Sequence, residues 1–128
     1  MKQPVLAALR GTTKPFSGHG RKLGYATANI ETTTTLQDGV YFGYADLNGY
    51  KSQPALIFIG TPETVGDKGR RLEAHLLDIA DKDYYDEQLR VRVVHFHRPN
   101  QKFDSIDELV TVMHTDEAAG RRWFKEQI

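Results

Sequence analysis

Residues 18 to 30 read GHGRKLGYATANI, and the residue types in this stretch suit the holding of a phosphate. Gly18, Gly20 and Gly24 lack a Cβ, so backbone N–H groups there can turn toward a common anion. Arg21 and Lys22 set two cations beside them. Thr27 and Asn29 follow at alternate positions. On an extended segment they face the same side, where a hydroxyl and an amide oxygen could hold a hydrated Mg²⁺ already paired with phosphates. A plainer reading stands beside this one: a solvated loop that runs into a half-buried strand. The standard nucleotide motifs do not separate the two. The Walker pattern GxxxxGK[ST] is missing, and GxGxxG fails because Leu23 stands where its last glycine would be.

A second group of chemistry-bearing residues lies further along. His75, His95 and His97 fall in strand-like segments, with His95 and His97 on one face and Glu73 alternating with His75. Paired strands could gather these into a zinc-like cluster; the alternative is the polar outer face of a sheet.

The elements that must position these groups are mostly strands. VLAAL from residue 5, GVYFGYADL from 39, PALIFIG from 54, RLEAHLLDI from 71 and QLRVRVVHFHR from 88 are short, and most are rich in β-branched or aromatic residues. Asn48-Gly49 accepts positive φ at both turn positions and predicts a two-residue hairpin between the second and third runs. In RLEAHLLDI, Leu72, Ala74 and Leu76 point one way while Glu73 and His75 point the other. The apolar phase Leu89, Val91, Val93 shifts to Val94 and Phe96, which predicts a β-bulge near Val93. ETTTTLQD at 31–38 reads as one surface loop.

After Phe103 the period becomes helical. SIDE at 105–108 is a capping box, followed by an apolar stripe of Ile106, Leu109, Val110 and Met113. A further segment from about Thr115 carries Ala118, Ala119, Trp123 and Phe124, so the expectation is two short helices or one bent at Thr115. Strands in succession without intervening helices argue against a parallel sheet. An antiparallel sheet of this size curls, and closure removes its edges, which predicts a small β-barrel with C-terminal helices.

Whole-chain properties bound the function. With 128 residues there is room for one core, so 1–128 is expected to be a single domain. Lys plus Arg equals Asp plus Glu at 17 each, which gives no general attraction to nucleic acid or anionic membranes. Any bound phosphate must be held locally. The absence of cysteine, the short apolar run before Arg10 and the lack of a membrane-length apolar stretch set the expectation of a cytoplasmic protein without nucleic-acid or membrane partners.

GRKLGYATANI resembles the flavokinase signature, a glycine-arginine segment followed by LG[FY]PTAN. Further matches follow in the family's order: DGVYFGYA at 38–45, IG at 59–60, LEAHLLD at 72–78, DYYDEQLRV at 83–91 and RPNQKFDSIDEL at 98–109. On these motifs the chain resembles the riboflavin kinase family over nearly its whole length. The resemblance implies a mainly β fold, a six-stranded antiparallel closed β-barrel with C-terminal helices. It also implies transfer of the γ-phosphoryl group of ATP, with Mg²⁺ or another divalent metal, to the 5′-hydroxyl of riboflavin to make FMN. Many bacterial members carry an adenylyltransferase domain ahead of this one, so the expectation here is a single-activity kinase or an excised domain, acting as a monomer.

The same resemblance implies the roles. Gly18, Gly20, Arg21, Lys22, Gly24, Thr27 and Asn29 would bind nucleotide, with Thr27 and Asn29 also arranging the metal. Glu73 matches the family's catalytic glutamate and would accept the proton of the ribityl hydroxyl. Arg98 and Phe103 sit in the RPxxKF segment on the flavin side, where Phe103 could stack on the ring or act as a hydrophobic staple before the Ser105 cap. The bland counterparts are strand-end polar residues for Thr27 and Asn29 and a surface glutamate for Glu73.

Four departures from the family pattern qualify this. Ala26 stands where the PTAN proline would, making the segment less preorganised without deleting a ligand. Tyr85-Asp86 replaces Tyr-Gly, tolerable because aspartate enters left-handed turns more easily than most residues. Asn100 removes a negative charge from RPE, and TPETVGDKGRRLE replaces an asparagine-rich loop after Gly60. These keep a second class open, a flavin- or nucleotide-binding module that has lost catalysis. An oligonucleotide-binding barrel is disfavoured by the neutral charge and the absence of alternating basic and aromatic residues.

Overall fold

A computed structural model of the chain describes residues 4–14, 25–60, 70–80 and 82–128. Among these residues seven strands precede one helix: β1 (Ala7–Thr12), β2 (Ala26–Thr32), β3 (Gly39–Leu47), β4 (Tyr50–Gly60), β5 (Arg70–Leu76), β6 (Asp83–Tyr84), β7 (Gln88–Arg98) and α1 (Ile106–Glu126). They form one sheet in the order β1-β7-β3-β4-β5-β2-β6. Every pairing is antiparallel except that of the two-residue β6, which runs parallel to β2.

Local sequence accounts for much of this. Asn48 and Gly49 take φ of 47° and 88°, closing the β3–β4 hairpin as the dipeptide predicts. The β-bulge expected near Val93 is present: Phe42 pairs with His95 and Gly43 with Val93, leaving Val94 as the extra residue. A second shift follows, because Tyr41 pairs with Phe96 and Val40 with Arg98. Ser105 caps α1 as expected, its Oγ accepting from Glu108 N–H at 3.1 Å.

Two expectations are corrected. The sheet is a curled half-barrel rather than a closed barrel. Its ends approach, since Lys14 N–H donates to Asn29 O at 2.9 Å, yet no ladder joins β1 to β2 among the described residues. The edge of β2 that such a ladder would need is taken at Thr27 and Ala28 by β6. The chain after β1 is drawn elsewhere: Thr13 exchanges backbone hydrogen bonds with Glu87 and Asp86. Nor are there two helices; α1 is continuous over 21 residues. The hydroxyls of Thr111 and Thr115 bond back to Asp107 O and Thr111 O, so they are satisfied without interrupting the helix.

The half-barrel has two apolar regions on opposite faces. Its concave side holds the main core, where Ile57, Leu72, Leu89, Val91 and Val93 are inaccessible or nearly so. Each such side chain contributes about 1.5–3 kcal/mol by leaving water. On the convex side Phe42, Leu56 and Leu77 pack with Phe58, Ala119, Trp123 and Phe124 beneath the helix. Gly120 permits this approach, because a Cβ there would fall 2.7 Å from Leu56 Cδ2 and 3.2 Å from Phe42 Cε1.

Candidate active site

The convex face beside α1 collects the polar residues that the sequence singles out. Antiparallel pairing of β2 with β5 sets Asn29 directly opposite Glu73 and Thr27 directly opposite His75. On the other side of β5, β4 sets Phe58 opposite Glu73 and Leu56 opposite His75. Side chains directly opposite on one face lie within about 4.5–5.5 Å at Cβ. One register therefore makes neighbours of residues 44 or more positions apart in the chain.

A cavity of about 160 Å³ opens beside this row, lined among others by Phe58, Glu73, His75, Arg98, Phe103 and Met113. Glu73, from one motif, and Arg98 and Phe103, from another, thus share one cavity. Thr27 and Asn29 sit across the strand from two of its lining residues and are only 2% and 5% exposed. Thr27 Oγ1 donates to Tyr25 O at 3.0 Å, which uses its proton and leaves oxygen lone pairs. Gly18, Gly20, Arg21, Lys22 and Gly24 lie outside the described residues.

Arg98 has a partner that sequence reasoning missed. Asp116, 1% exposed on α1, accepts from Arg98 Nε at 2.8 Å and from Arg98 Nη2 at 2.7 Å, and lies 3.2 Å from His97 Nε2. Arg98 therefore lines the cavity while clamping the helix to the end of β7. No local pattern in the sequence marks Asp116.

A second tie starts from the next residue of α1, Glu117. Tyr25 donates its hydroxyl to Glu117 Oε1 at 3.0 Å, Glu117 Oε2 accepts from Arg121 Nε at 2.8 Å, and Arg121 makes a bidentate pair with Asp78 at 2.9 and 3.0 Å. Burial, reinforced by the hydrogen bond to Glu117, raises the Tyr25 phenol well above its ordinary value. Burial alone would raise Glu117, but hydrogen bonds from Arg121 and Tyr25 outweigh it and hold this carboxyl low. The Arg121 hydrogen bonds likewise lower Asp78.

The histidines do not gather into a metal cluster. His75 hydrogen-bonds Glu73 through Nε2, whereas His95 and His97 stack on Phe42 at 5.8 and 4.7 Å and His95 also stacks on Trp123 at 5.4 Å. Among the described residues no three His, Cys, Asp or Glu side chains are placed to hold a metal ion. A cation here would need oxygens from a phosphate ligand beside those of Thr27 and Asn29. That neutral, incomplete donor set suits Mg²⁺, which keeps waters and binds through substrate phosphates.

Of the departures, Asp86 takes φ of 58°, the left-handed conformation anticipated for a residue replacing glycine. Asn100 lines the cavity and its Nδ2 donates to Ile59 O at 3.2 Å, tying the segment after β7 to the end of β4. The departure after Gly60 falls in residues 61–69, which lie outside the described residues.

Fold and site together define a class, small antiparallel half-barrels whose polar site lies between the convex sheet face and a C-terminal helix. The flavokinase family, described as riboflavin kinase, matches residues 5–124. The chain belongs to that family. It is 36% identical over 107 residues to the bifunctional riboflavin kinase/FMN adenylyltransferase of Escherichia coli K12, covering 82% of this chain and 34% of that one. Against the riboflavin kinase of Homo sapiens it is 28% identical, covering 84% of this chain and 74% of that one. A trifunctional protein of Mycoplasmoides gallisepticum is 34% identical over 93% of this chain, which spans 18% of its length. The chain thus spans 18% to 34% of the length of these longer relatives. Among solved structures, riboflavin kinase from Trypanosoma brucei superposes with a TM-score of 0.67 at 21% identity, over 92% of this chain and 79% of that one. A protein from Streptococcus pneumoniae described as macrolide-efflux superposes with a TM-score of 0.76 at 31% identity, over 91% of this chain and 38% of that one. Among the described residues no helix is long and apolar enough to cross a membrane.

Proposed function

We propose that this chain transfers the γ-phosphoryl group of ATP to the 5′-hydroxyl of riboflavin, giving FMN and ADP. The observation that supports this most is the register that sets Asn29 and Thr27 opposite Glu73 and His75, at the edge of a cavity shared with Arg98 and Phe103, in a chain of the flavokinase family.

In this reading Glu73 accepts the hydroxyl proton as the oxygen attacks phosphorus and the bond to ADP breaks. Thr27 and Asn29 would supply oxygens to a Mg²⁺ arriving with ATP, and the metal would offset the charge of the phosphates. Gly18, Gly20, Arg21, Lys22 and Gly24 cradle the same phosphates. Phosphoryl transfer depends mainly on positioning and charge neutralisation, so a few well-held polar groups suffice. Phe103 gives the flavin ring an aromatic face, and Arg98, held by Asp116, keeps the wall of the cavity in place. The cavity is smaller than the roughly 300 Å³ at which pockets for drug-sized ligands begin, so it seats part of the flavin and the remainder extends beyond it. We read residues 1–128 as one monomeric kinase unit working in the cytoplasm, without nucleic-acid or membrane partners; the balanced charge supports the last of these, since it gives no general attraction to either.

Incubation with riboflavin, ATP and Mg²⁺, with the flavins separated by chromatography, should give FMN in proportion to enzyme and time. Riboflavin binding without any FMN would sink the kinase reading and leave a binding module.

A further inference from the structure

We propose that His75 is a positioning residue for the Glu73 carboxylate, an inference that rests on the kinase reading above. The His75 ring is 2% exposed and lies between two aromatic rings, stacked on Tyr25 at 5.3 Å with planes 21° apart and tilted against Phe58 at 4.7 Å. Its Nε2 hydrogen-bonds Glu73 Oε1. Its Nδ1 is buried and meets no hydrogen-bond partner among the described residues.

Packing alone does not account for an imidazole at this place. A phenyl ring would fill the slot between Tyr25 and Phe58 and would leave no buried acceptor unsatisfied, a defect that destabilises the fold. What the imidazole adds is the bond to Glu73. An ionised carboxylate only accepts, so Nε2 carries the proton and Nδ1 is left as the bare acceptor, which is the atom found without a partner. The orphaned nitrogen is thus the consequence of turning the other one toward the carboxylate.

Glu73 needs such a hold. It stands on the convex face at the cavity, and its side chain has three rotatable bonds. A general base must come within about 2.6–3.2 Å of the oxygen whose proton it takes. His75 sits two residues along the same strand, on the same face, with its ring immobilised by Tyr25 and Phe58. It therefore fixes the carboxylate relative to the sheet rather than to a mobile loop. Tyr25 is itself anchored to α1 through Glu117, so the helix roof and the base are held by one chain of contacts.

The test separates ring packing from the Nε2 bond. His75→Phe keeps the stacking and loses the donor; it should fold, hold the KM for riboflavin within about twofold and lower kcat about 100-fold, the scale of a misplaced catalytic group. His75→Gln restores an N–H close to the Nε2 position and should recover about tenfold of that loss. In a Glu73→Gln background, His75→Phe should cause no further loss. Wild-type kcat in His75→Phe, a Gln variant no better than Phe, or fully additive losses in the double variant would each overturn the inference. If His75→Phe does not fold, His75→Gln should still exceed His75→Asn in kcat, because asparagine's amide stops near the Nδ1 position; equal rates overturn it. Wild-type protein run alongside keeps the two readings apart. No FMN from wild type removes the kinase reading and this inference with it, whereas FMN from wild type and from His75→Phe at equal rates removes this inference alone.

Discussion

Strand β5 carries two faces that differ in almost every physical respect. Leu72, Ala74 and Leu76 point into the concave core and are 3% exposed or less. Glu73 and His75, the residues between them, point to the convex side, pair with each other and border a cavity. The concave face is held by non-directional burial, which tolerates exchange among side chains of similar volume. The convex face adds directed contacts to the apolar packing beneath α1: Arg98 to Asp116, Tyr25 to Glu117, and Arg121 to Asp78. Stability and chemistry are thus divided by the strand's twofold period. A carboxylate can thus stand in the middle of the sheet without disturbing the core behind it.

The largest expected effect tests the convex face. Glu73→Gln should lower turnover by about two to four powers of ten while leaving the unfolding free energy within about 0.5 kcal/mol, measured by initial rates of FMN formation and by urea titration. A near wild-type rate would withdraw the general-base role. The opposite pattern is expected one residue away. Leu72→Ala should cost about 2–5 kcal/mol of stability, while kcat per folded molecule, measured well below the unfolding transition, stays close to wild type. Loss of turnover in a fully folded Leu72→Ala protein would mean that the faces are not separable.

Asp116→Asn comes next. It leaves Arg98 without the charge of its buried partner and should cost about 1–3 kcal/mol, together with a severalfold rise in the KM for riboflavin as the cavity wall loosens. Unchanged KM and stability would show that the clamp does not hold the site. The smallest effect belongs to the outermost tie. Asp78 and Glu117 are held below their unfolded values near pH 4, so the stability they add is present above that value and is lost as pH falls through the lower folded values. An Asp78→Asn/Glu117→Gln double variant should be less stable than wild type at pH 6, by about 1 kcal/mol or less because the groups are partly exposed. The difference should shrink steadily below about pH 4. A gap that widens in acid would contradict the assigned direction.

What could be read from the chain in advance was what depends on neighbours in sequence. Asn48-Gly49 sets its own turn, Ser105 its own cap, and the phase slip after Val93 its own bulge. The misreadings arose mostly where a distant segment intervenes. Closure was expected from the number of strands, but two residues of β6 occupy the edge of β2, and a strand that short leaves no pattern to recognise. A break at Thr115 was expected from the change in the apolar stripe, but its hydroxyl is absorbed by Thr111 O within the helix. Asp116 and Glu117 went unnoticed because the partners that define them, Arg98 and Tyr25, are 18 and 92 residues away.

By itself the sequence determined which side chains share a face of each strand, where the chain turns and where the helix starts. Its ordered motifs also carried the family resemblance. Only the tertiary structure decided that Asn29 stands opposite Glu73, that Thr27 stands opposite His75, and that a helix clamped by Asp116 roofs the cavity they border. The physical reason is that alternation is a property of one strand, set by backbone geometry, whereas register belongs to a pair. It is selected by the burial of Leu72, Ala74 and Leu76 against a core that the rest of the chain supplies.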